Sequence, residues 1–349
     1  MVYTVNKVIS YEEKIVNRTM KNKFLEIAIK AVNKACVVTR KVQADLTRIQ
    51  QLEKNDKSPV TVADFAAQAV VTHVLEGALG KIKLVGEESS GELRLPDQQT
   101  LCQSVVKATQ TVWAEATIEQ VLDAIDLGDH NASGSSYWTL DPIDGTKGFL
   151  RGGQYAVSLA FIENGEVILG VLGCPNLSSD FDRLFSDPDP QGLIYFAVAG
   201  EGSWFIPANA QNTEAERLEV TQNEGLIRIC ESVESGHSKH DDTTRIVDRL
   251  GGAGESARLD SQCKYAVVAR GQADAYLRLP TRADYVEKIW DHAGGMLVAQ
   301  EAGMIVTDIV GKPLDFSQGA GLKNNRGVIC ASPKFHGQII ATIRDLGIA

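Results

Sequence analysis

The sequence predicts a mixed α/β protein in which an α+β half precedes an α/β half. Between residues 24 and 49, apolar side chains recur three or four positions apart, which is typical of one amphipathic helix. Strand-like stretches flank Asn164-Gly165, a dipeptide that favours a tight hairpin and therefore antiparallel pairing. Beyond residue 216, strand-like and helix-like stretches alternate, and such alternation indicates an α/β layer.

The first half is expected to contain two long helices and an antiparallel sheet. After the helix over residues 24–49, a second helix is expected to begin at Thr61, whose hydroxyl could cap it with Asp64 at the capping-box spacing. A short strand over residues 84–85 follows, and residues 90–136 show no clear pattern except a helix over residues 117–125. Further strands are expected over residues 137–140, 154–162, 167–172, 193–198 and 203–206.

The second half is expected to alternate strands with helices. The strands are expected over residues 226–230, 257–259, 275–279, 305–307 and 328–331. The helices are expected over residues 241–250, 261–270, 288–301 and 335–346. A polar stretch over residues 208–216 separates the halves, so we expect one domain over residues 1–210 and a second over residues 211–349.

The composition excludes several classes of function. The chain has 349 residues with 45 acidic and 35 basic side chains, a formal net charge of −10. A protein that neutralises nucleic-acid phosphates needs excess Lys and Arg, so we expect no nucleic-acid partner. No stretch reaches the roughly 18 apolar residues that span a bilayer, and residues 1–30 lack the apolar core of a secretory signal. The six scattered cysteines favour a reduced, cytoplasmic protein, which we expect to be a monomer.

The segment over residues 138–149 carries the clearest chemical signal. An apolar strand ends at Asp141, and the tight turn after it could bring Asp144 and the carbonyl of Ile143 to the same point. Carboxylate and carbonyl oxygens are the hard ligands that suit Mg²⁺. If a helix begins next, the amides of Gly145 and Thr146 could face a phosphate. An ordinary Asp/Pro/Gly turn is the alternative interpretation.

This segment resembles the metal motif of the inositol monophosphatase superfamily of magnesium-dependent, lithium-sensitive phosphatases. Two more motifs of that superfamily are similar to residues 85–89 and 290–303. Three matches in family order are far more specific than any one of them. Within the superfamily, the 3'(2'),5'-bisphosphate nucleotidase branch is similar to residues 55–64, 148–152, 173–177, 234–238, 260–265, 276–280 and 287–291.

The resemblance implies a layered αβαβα sandwich of the inositol monophosphatase/fructose-1,6-bisphosphatase type. It also implies a site with two or three Mg²⁺ ions. Glu87, Asp141 and the Ile143 carbonyl would hold the first ion, and Asp141, Asp144 and Asp291 the second. Asp64 and Glu87 would help to hold a weaker third. Without cations, so many converging carboxylates would repel one another and raise their own pKa values.

The resemblance further implies a water nucleophile, activated by metal and deprotonated with help from Asp64 and the Thr146 hydroxyl. For both residues a helix-capping role remains the alternative. Ser261, Lys264 and Arg278 would contact the second phosphate and the ribose of the substrate, and His237 would lie near the adenine. The alternatives are a solvated Lys264, an Arg278 paired with an acid across a strand, and a structural His237.

The expected reaction is hydrolysis of adenosine 3',5'-bisphosphate to AMP and phosphate, with 3'-phosphoadenylyl sulfate as a related substrate of sulfate assimilation. A second possibility is an inositol polyphosphate 1-phosphatase or an inositol monophosphatase. A third is a metal-binding regulatory protein without turnover. The third is disfavoured because a protein that only binds metal needs no pair of residues that activates water. The chain has that pair together with the metal-binding acids: Asp64, Glu87, Asp141, Asp144, Thr146 and Asp291.

Overall fold

Two β-sheets and three layers of helices make up the part of the chain that the structure describes. The computed structural model describes residues 11–50, 58–209, 213–220, 223–233, 240–254, 256–282 and 284–348. None of the helices in these ranges has both the length and the apolar content needed to cross a membrane. The six cysteines are all buried and unpaired by disulfides, in agreement with the sequence expectation.

The first sheet has seven strands in the order of the chain. Its first two strands are parallel, and every later neighbour is antiparallel. The hairpin at Asn164-Gly165 joins the third and fourth strands, as expected. The strands are β1 (Leu84–Gly86), β2 (Ser136–Asp144), β3 (Ala156–Glu163), β4 (Glu166–Cys174), β5 (Leu193–Val198), β6 (Ser203–Pro207) and β7 (Glu216–Arg217).

The first half of the chain also supplies helices. They are α1 (Tyr11–Gln50), α2 (Ser58–Leu79), α3 (Gln99–Thr109), α4 (Ile118–Asp126) and the short α5 (Thr146–Leu150). Single turns of 3₁₀-helix cover Glu92–Arg94 and Pro96–Gln98. Thr117 caps α4 in a full capping box with Gln120, which explains why this helix could be read from the sequence.

The second half forms a five-stranded sheet and four helices within the described residues. Its strands are β8 (Ile229–Glu231), β9 (Ala257–Arg258), β10 (Ala275–Arg278), β11 (Ile305–Thr307) and β12 (Val328–Ala331), in the spatial order β11-β12-β10-β8-β9. Its helices are α6 (His240–Arg249), α7 (Cys263–Ala269), α8 (Ala293–Glu301) and α9 (Pro333–Asp345). Residues 216–217 pair with β6 of the first sheet, and the division into two domains near residue 210 stays a prediction.

The layers stack as the sequence resemblance implied. Helices α1 and α2 pack on each other and on the outer face of the first sheet. Helix α8 packs on β4 and β11, and α7 on β4 and β10, so these two helices lie between the sheets. Helix α9 covers the far side of the second sheet at β12 and packs on α6. The resulting order of layers is αβαβα.

Three local predictions were wrong. Helix α2 begins at Ser58 rather than Thr61, because Pro59 fits the first turn of a helix and does not mark a loop. Helix α8 begins at Ala293 rather than at residue 288, because the backbone around Glu287 and Ile289 bonds to residues 320 and 322. Helix α3 was not expected, although its buried residues Cys102, Val105, Val106 and Thr109 follow a helical period.

Candidate active site

A cavity of about 350 Å³ lies where the ends of β1 and β2 meet the second half of the chain. It gathers most of the side chains that the sequence singled out. Those that line it are Glu87, Asp141, Ile143, Asp144, Gly145, Thr146, Ser261, Lys264, Arg278 and Asp291. His237 lies outside the described residues, so its expected contact with adenine stays a prediction.

The parallel pairing of β1 with β2 brings the first carboxylates together. Gly86 is in register with Leu140, so the next residue on each strand, Glu87 and Asp141, comes out at the same edge of the sheet. Burial raises the pKa of Glu87, whereas the neighbouring Asp141 acts in the opposite direction. Asp141 is buried, whereas Glu87 opens onto the solvent of the cavity. The strand pairing therefore determines the spacing of this acidic pair.

A bulge at the end of β2 directs the following residues, Ile143 and Asp144, toward the cavity. Between Asp141 and Asp144 the register with β3 shifts, which leaves Pro142 and Ile143 without a partner on β3. The Ile143 carbonyl is thereby available at the cavity. Asp144 accepts a hydrogen bond from the backbone amide of Gln262, which ties this turn to the second half.

Gly145 makes the turn from β2 into α5 possible. Its φ of 90° belongs to the left-handed region, which favours glycine. A Cβ added here would lie 2.7 Å from the Cβ of Ser261, so only glycine fits against that residue. Gly145 is the cap of α5, and Thr146 is the first residue of the helix, exposed at the cavity. The capping alternative for Thr146 is therefore wrong.

Asp291 comes from the second half, just before α8. This helix lies close against the first sheet because two glycines face each other there. A Cβ on Gly170 of β4 would lie 2.8 Å from the carbonyl oxygen of Gly294 in α8. The close contact brings the start of α8, and with it Asp291, to the edge where Asp141 and Asp144 lie.

The carboxyl groups of the site raise one another's pKa values in the metal-free protein. Burial, followed by the charges of Glu87, Asp144 and Asp291, raises the pKa of Asp141 well above its usual range. Burial also raises the pKa of Asp291 to about 8, although the nearby Arg278 acts in the opposite direction. Charges of one sign so close together call for a cation among them.

Asp64 belongs to the same acidic cluster, although it does not line the cavity itself. It is the seventh residue of α2 and is buried, so the capping role suggested by the sequence is wrong. The side chain of Thr61, its expected capping partner, lies outside the described residues. Burial and then the charges of Glu88 and Glu87 raise the pKa of Asp64 well above its usual range.

The site fits divalent magnesium on the evidence of its own atoms. Within the described ranges, Asp141 Oδ1 is buried without a hydrogen-bond partner, an arrangement that a metal ligand explains and a structural carboxylate does not. The surrounding donors are carboxylate and carbonyl oxygens, and neither His nor Cys lines the cavity among the described residues. Such oxygen-only sets suit Mg²⁺ rather than Zn²⁺.

Lys264 and Arg278 form a cationic wall of the same cavity. Lys264 is buried beneath it, with Nζ 3.4 Å from the Leu259 carbonyl oxygen and 5.1 Å from the centre of the Tyr276 ring. A solvated Lys264, the alternative from the sequence, is therefore wrong. Arg278 ends β10 and does pair with acids, at 2.8 Å from Glu287 and 3.6 Å from Asp291, while it lines the cavity.

The sequence interpretation missed several residues of this cavity. Asp260, Gln262 and Tyr276 lie within stretches that resemble the family but were not singled out there. Lys147 lies within the metal motif and was likewise left without a role. Ser232 and Tyr285 carry no signal in the sequence, because only the fold of the second half brings their loops to the cavity.

Comparison with known proteins agrees with this geometry. A model of the inositol monophosphatase family matches residues 20–347. A 3'(2'),5'-bisphosphate nucleotidase of Schizosaccharomyces pombe is 43% identical over 323 residues, which cover 88% of this chain and 90% of that protein. The 3',5'-bisphosphate nucleotidase 2 of Arabidopsis thaliana is 38% identical over 337 residues, with coverage of 93% and 96%.

Solved structures show the same fold at low sequence identity. SuhB of Mycobacterium tuberculosis superimposes with a TM-score of 0.59 at 18% identity, covering 94% of this chain and 98% of its own. CysQ of Bacteroides thetaiotaomicron gives a TM-score of 0.59 at 21% identity, with coverage of 88% and 96%. Together with the family match over nearly the whole chain, the carboxylate cluster and the layered fold lead to one conclusion: the chain belongs to the inositol monophosphatase family.

Proposed function

We propose that this protein is a magnesium-dependent 3'(2'),5'-bisphosphate nucleotidase. It removes the 3'-phosphate of adenosine 3',5'-bisphosphate to give AMP and phosphate, and it acts in the same way on 3'-phosphoadenylyl sulfate. The observation that carries the proposal is that one cavity is lined both by a carboxylate cluster and by Lys264 and Arg278. Such a cavity suits a substrate with two separate phosphates, and relatives up to 43% identical are named as nucleotidases of this kind.

The carboxylate wall would hold two or three Mg²⁺ ions. Glu87, Asp141 and the Ile143 carbonyl are the ligands for one ion, and Asp141 with Asp144 and Asp291 for another. Asp64 with Glu87 would support a third. Bound Mg²⁺ supplies the positive charge that activates water and offsets the charge of the phosphoryl group.

The chain itself supplies proton acceptors and orientation. Asp64 is buried within the cluster, where its carboxylate can take a proton from the attacking water, with the hydroxyl of Thr146, which lines the cavity, as its partner. The exposed Thr146 begins α5 beside the left-handed Gly145, so its hydroxyl and the backbone amides there face the cavity. These residues orient the phosphate that is removed.

The cationic wall binds the phosphate that stays on the product. Arg278 can bind two phosphate oxygens with its planar guanidinium, whereas Lys264 acts as a point charge from beneath the wall. A monophosphate has no group for this wall. The wall therefore favours bisphosphates, and the same logic leaves inositol 1,4-bisphosphate as a second candidate substrate.

One assay tests the proposal. Phosphate release with Mg²⁺ is measured from adenosine 3',5'-bisphosphate, inositol 1,4-bisphosphate and inositol 1-phosphate in parallel, with and without lithium. We expect the highest kcat/KM for the adenosine bisphosphate, together with inhibition by lithium. A preference for inositol 1-phosphate would overturn the nucleotide assignment, and no release from any of the three would indicate a binding protein without turnover.

A further inference from the structure

A chain of buried polar groups supports Arg278 from behind. The Arg278 guanidinium Nη2 lies 2.8 Å from Glu287 Oε2, and the Glu287 side chain is only 6% exposed. The same carboxylate oxygen lies 3.3 Å from His292 Nε2, and His292 Nδ1 lies 2.9 Å from the Tyr265 hydroxyl. His292 and Tyr265 are fully buried. Packing therefore holds each member of the chain Tyr265–His292–Glu287–Arg278 in one orientation.

Each group in this chain has a matching partner. A neutral His292 can donate through Nε2–H to Glu287 and accept at Nδ1 from the Tyr265 hydroxyl, so both ring nitrogens are used. The carboxylate of Glu287 then receives one hydrogen bond from His292 and one from Arg278. A buried carboxylate that is bonded on two sides orients its cation more strictly than a single surface pair does.

Arg278 has a second acid within reach, and this gives Glu287 a role beyond simple pairing. Asp291 Oδ2 lies 3.6 Å from the same Nη2 atom, and Asp291 is a ligand in the proposed metal cluster. An arginine that turned fully toward Asp291 would both leave the cationic wall and neutralise a carboxylate that the cations need. The shorter contact with Glu287 keeps the guanidinium away from that position.

We propose that Glu287 is a positioning residue. With His292 and Tyr265 behind it, Glu287 holds the guanidinium of Arg278 within the cationic wall, where it can bind the second phosphate of the substrate, and away from Asp291. The inference rests on the proposed function, because it assigns the residue that makes the cavity selective for bisphosphates. Glu287 lines no part of the cavity among the described residues and acts only through Arg278.

The first test compares two substrates that differ only in the second phosphate. In Glu287→Gln, the amide keeps the shape and an acceptor oxygen but loses the charge. We expect the KM for adenosine 3',5'-bisphosphate to rise about tenfold or more, the usual effect of losing one charge-assisted hydrogen bond. The KM for adenosine 3'-monophosphate should change by less than about threefold, since that substrate lacks the second phosphate.

Arg278 itself provides the second test. In Arg278→Gln the preference for the bisphosphate should be lost. Adding Glu287→Gln to that variant should not change the ratio of the two KM values any further. Non-additivity of this kind identifies residues that act through one another. Calorimetry of AMP binding without Mg²⁺ gives a readout that does not depend on turnover, and Glu287→Gln should weaken it about tenfold while leaving adenosine binding unchanged.

Asp274→Asn is the matched control. Asp274 is a buried carboxylate that lies 3.0 Å from Arg228 Nη2 and does not line the cavity. The variant therefore removes the negative charge from a comparable Arg–carboxylate pair. It should lower stability but leave the ratio of the two KM values unchanged. If Glu287→Gln does not fold, Tyr265→Phe removes only the hydroxyl at the end of the chain and should change the KM ratio in the same direction by a smaller factor.

The outcomes separate the inference from the proposed function. If the wild-type protein releases phosphate from the bisphosphate but Glu287→Gln raises both KM values equally, or lowers only kcat, Glu287 is merely structural and the inference is overturned. If the wild-type protein does not act on the bisphosphate, the proposed function fails and the inference fails with it. A selective rise in the bisphosphate KM, absent in Asp274→Asn, supports the inference.

Discussion

Asp64 is the residue at which the structure removes an alternative role that the sequence left open. Its spacing from Thr61 suggested a helix cap, but α2 begins three residues earlier than expected, and Asp64 lies one turn and more inside the helix. A buried carboxylate at that position inside the helix does not cap the first turn. Its contact with the charges of Glu88 and Glu87 instead links it to the acidic cluster.

Replacing Asp64 by Asn tests its assignment as the proton acceptor. We expect kcat to fall by about 10²- to 10⁴-fold, the usual contribution of a general base, because the amide cannot accept the proton. The fold should be retained, because burial already favours the neutral form of Asp64. Steady-state kinetics and circular dichroism check both points.

The control for this prediction is Asp126→Asn. Asp126 is a carboxylate at the end of α4 that bonds to Ser90 and Arg94, outside the cavity. Its loss should change kcat by less than about tenfold. Turnover of Asp64→Asn within tenfold of the wild type would rule out Asp64 as the base.

Gly145→Ala should disturb both stability and turnover. The residue has a φ of 90°, and the new Cβ would lie 2.7 Å from the Ser261 Cβ. Backbone strain of this kind costs about 1–3 kcal/mol, and relief of the clash would displace Asp144 and Ser261. We expect a lower midpoint in urea and a kcat at least tenfold lower.

Gly200→Ala is the control that separates the effect of backbone strain at a positive φ from the effect of the steric clash with Ser261. Gly200 also has a positive φ, 81°, but no atom lies within 4 Å of its added Cβ. It should lose stability to a similar or smaller degree and keep its activity. Equal loss of activity in both variants would show that the close contact with Ser261 is unimportant.

At the scale of the elements, Gln68 connects α2 to the loop that carries the first acidic residues. Its Nε2 donates to the carbonyls of Glu88 and Ile125 at 2.7 and 2.8 Å, and its Oε1 accepts from the Glu88 amide at 3.1 Å. The side chain is fully buried. One amide thus joins α2, the end of β1 and the end of α4.

Gln68→Leu leaves the part-buried amide and carbonyl of Glu88 without these partners, whereas the Ile125 carbonyl keeps its bond from the Gly128 amide. At about 1–3 kcal/mol for each unsatisfied group, we expect the free energy of unfolding to fall by several kcal/mol. Glu87 should move as well, so more Mg²⁺ should be needed for half-maximal activity. Urea titration and a magnesium titration of activity measure the two effects.

Gln338→Leu serves as the comparison. Gln338 is exposed on α9 and bonds only to Lys334 within its own helix. We expect its unfolding free energy to stay within about 0.5 kcal/mol of the wild type. A Gln68→Leu protein that is equally stable would contradict the bridging role.

For the molecule as a whole, the layered fold brings several carboxyl groups close together. The stability of the metal-free folded state therefore depends on pH. In the metal-free protein, burial raises the pKa of Asp141 well above its usual range and that of Asp291 to about 8. In the unfolded chain an Asp titrates near pH 4. Between these values the folded state holds protons that the unfolded state has lost, so stability of the metal-free protein should fall as pH rises from about 4 to about 8.

Magnesium should reverse this trend, because it binds the ionised carboxylates and only in the folded state. We therefore expect Mg²⁺ to raise Tm more at about pH 8 than at about pH 5. Thermal unfolding with and without saturating Mg²⁺ at both pH values measures the difference, and Asp291→Asn should reduce it. An equal rise in Tm at both pH values would mean that these carboxylates are not the ligands.

The sequence by itself determined the local elements and indicated the acidic residues Glu87, Asp141, Asp144 and Asp291, which line the cavity. The hairpin at Asn164-Gly165, the capping box of α4 and the motif around Asp141 depend on near neighbours in the chain, and such signals are readable without tertiary contacts. Where a local signal was ambiguous, the prediction failed: Pro59 fits the first turn of α2 as well as a loop, and α3 was not expected although its buried residues follow a helical period.

Only the tertiary structure decided which distant residues meet. Glu287, Tyr265 and His292 are spread over nearly thirty positions, and nothing in their spacing shows that they form one chain behind Arg278. The composition shows an excess of acidic residues, but only the fold shows which of them lie together. The parallel pair β1–β2 and the glycine contact beneath α8 bring Asp141 and Asp291 to one edge, because strand register and helix–sheet packing act between segments that are far apart in sequence.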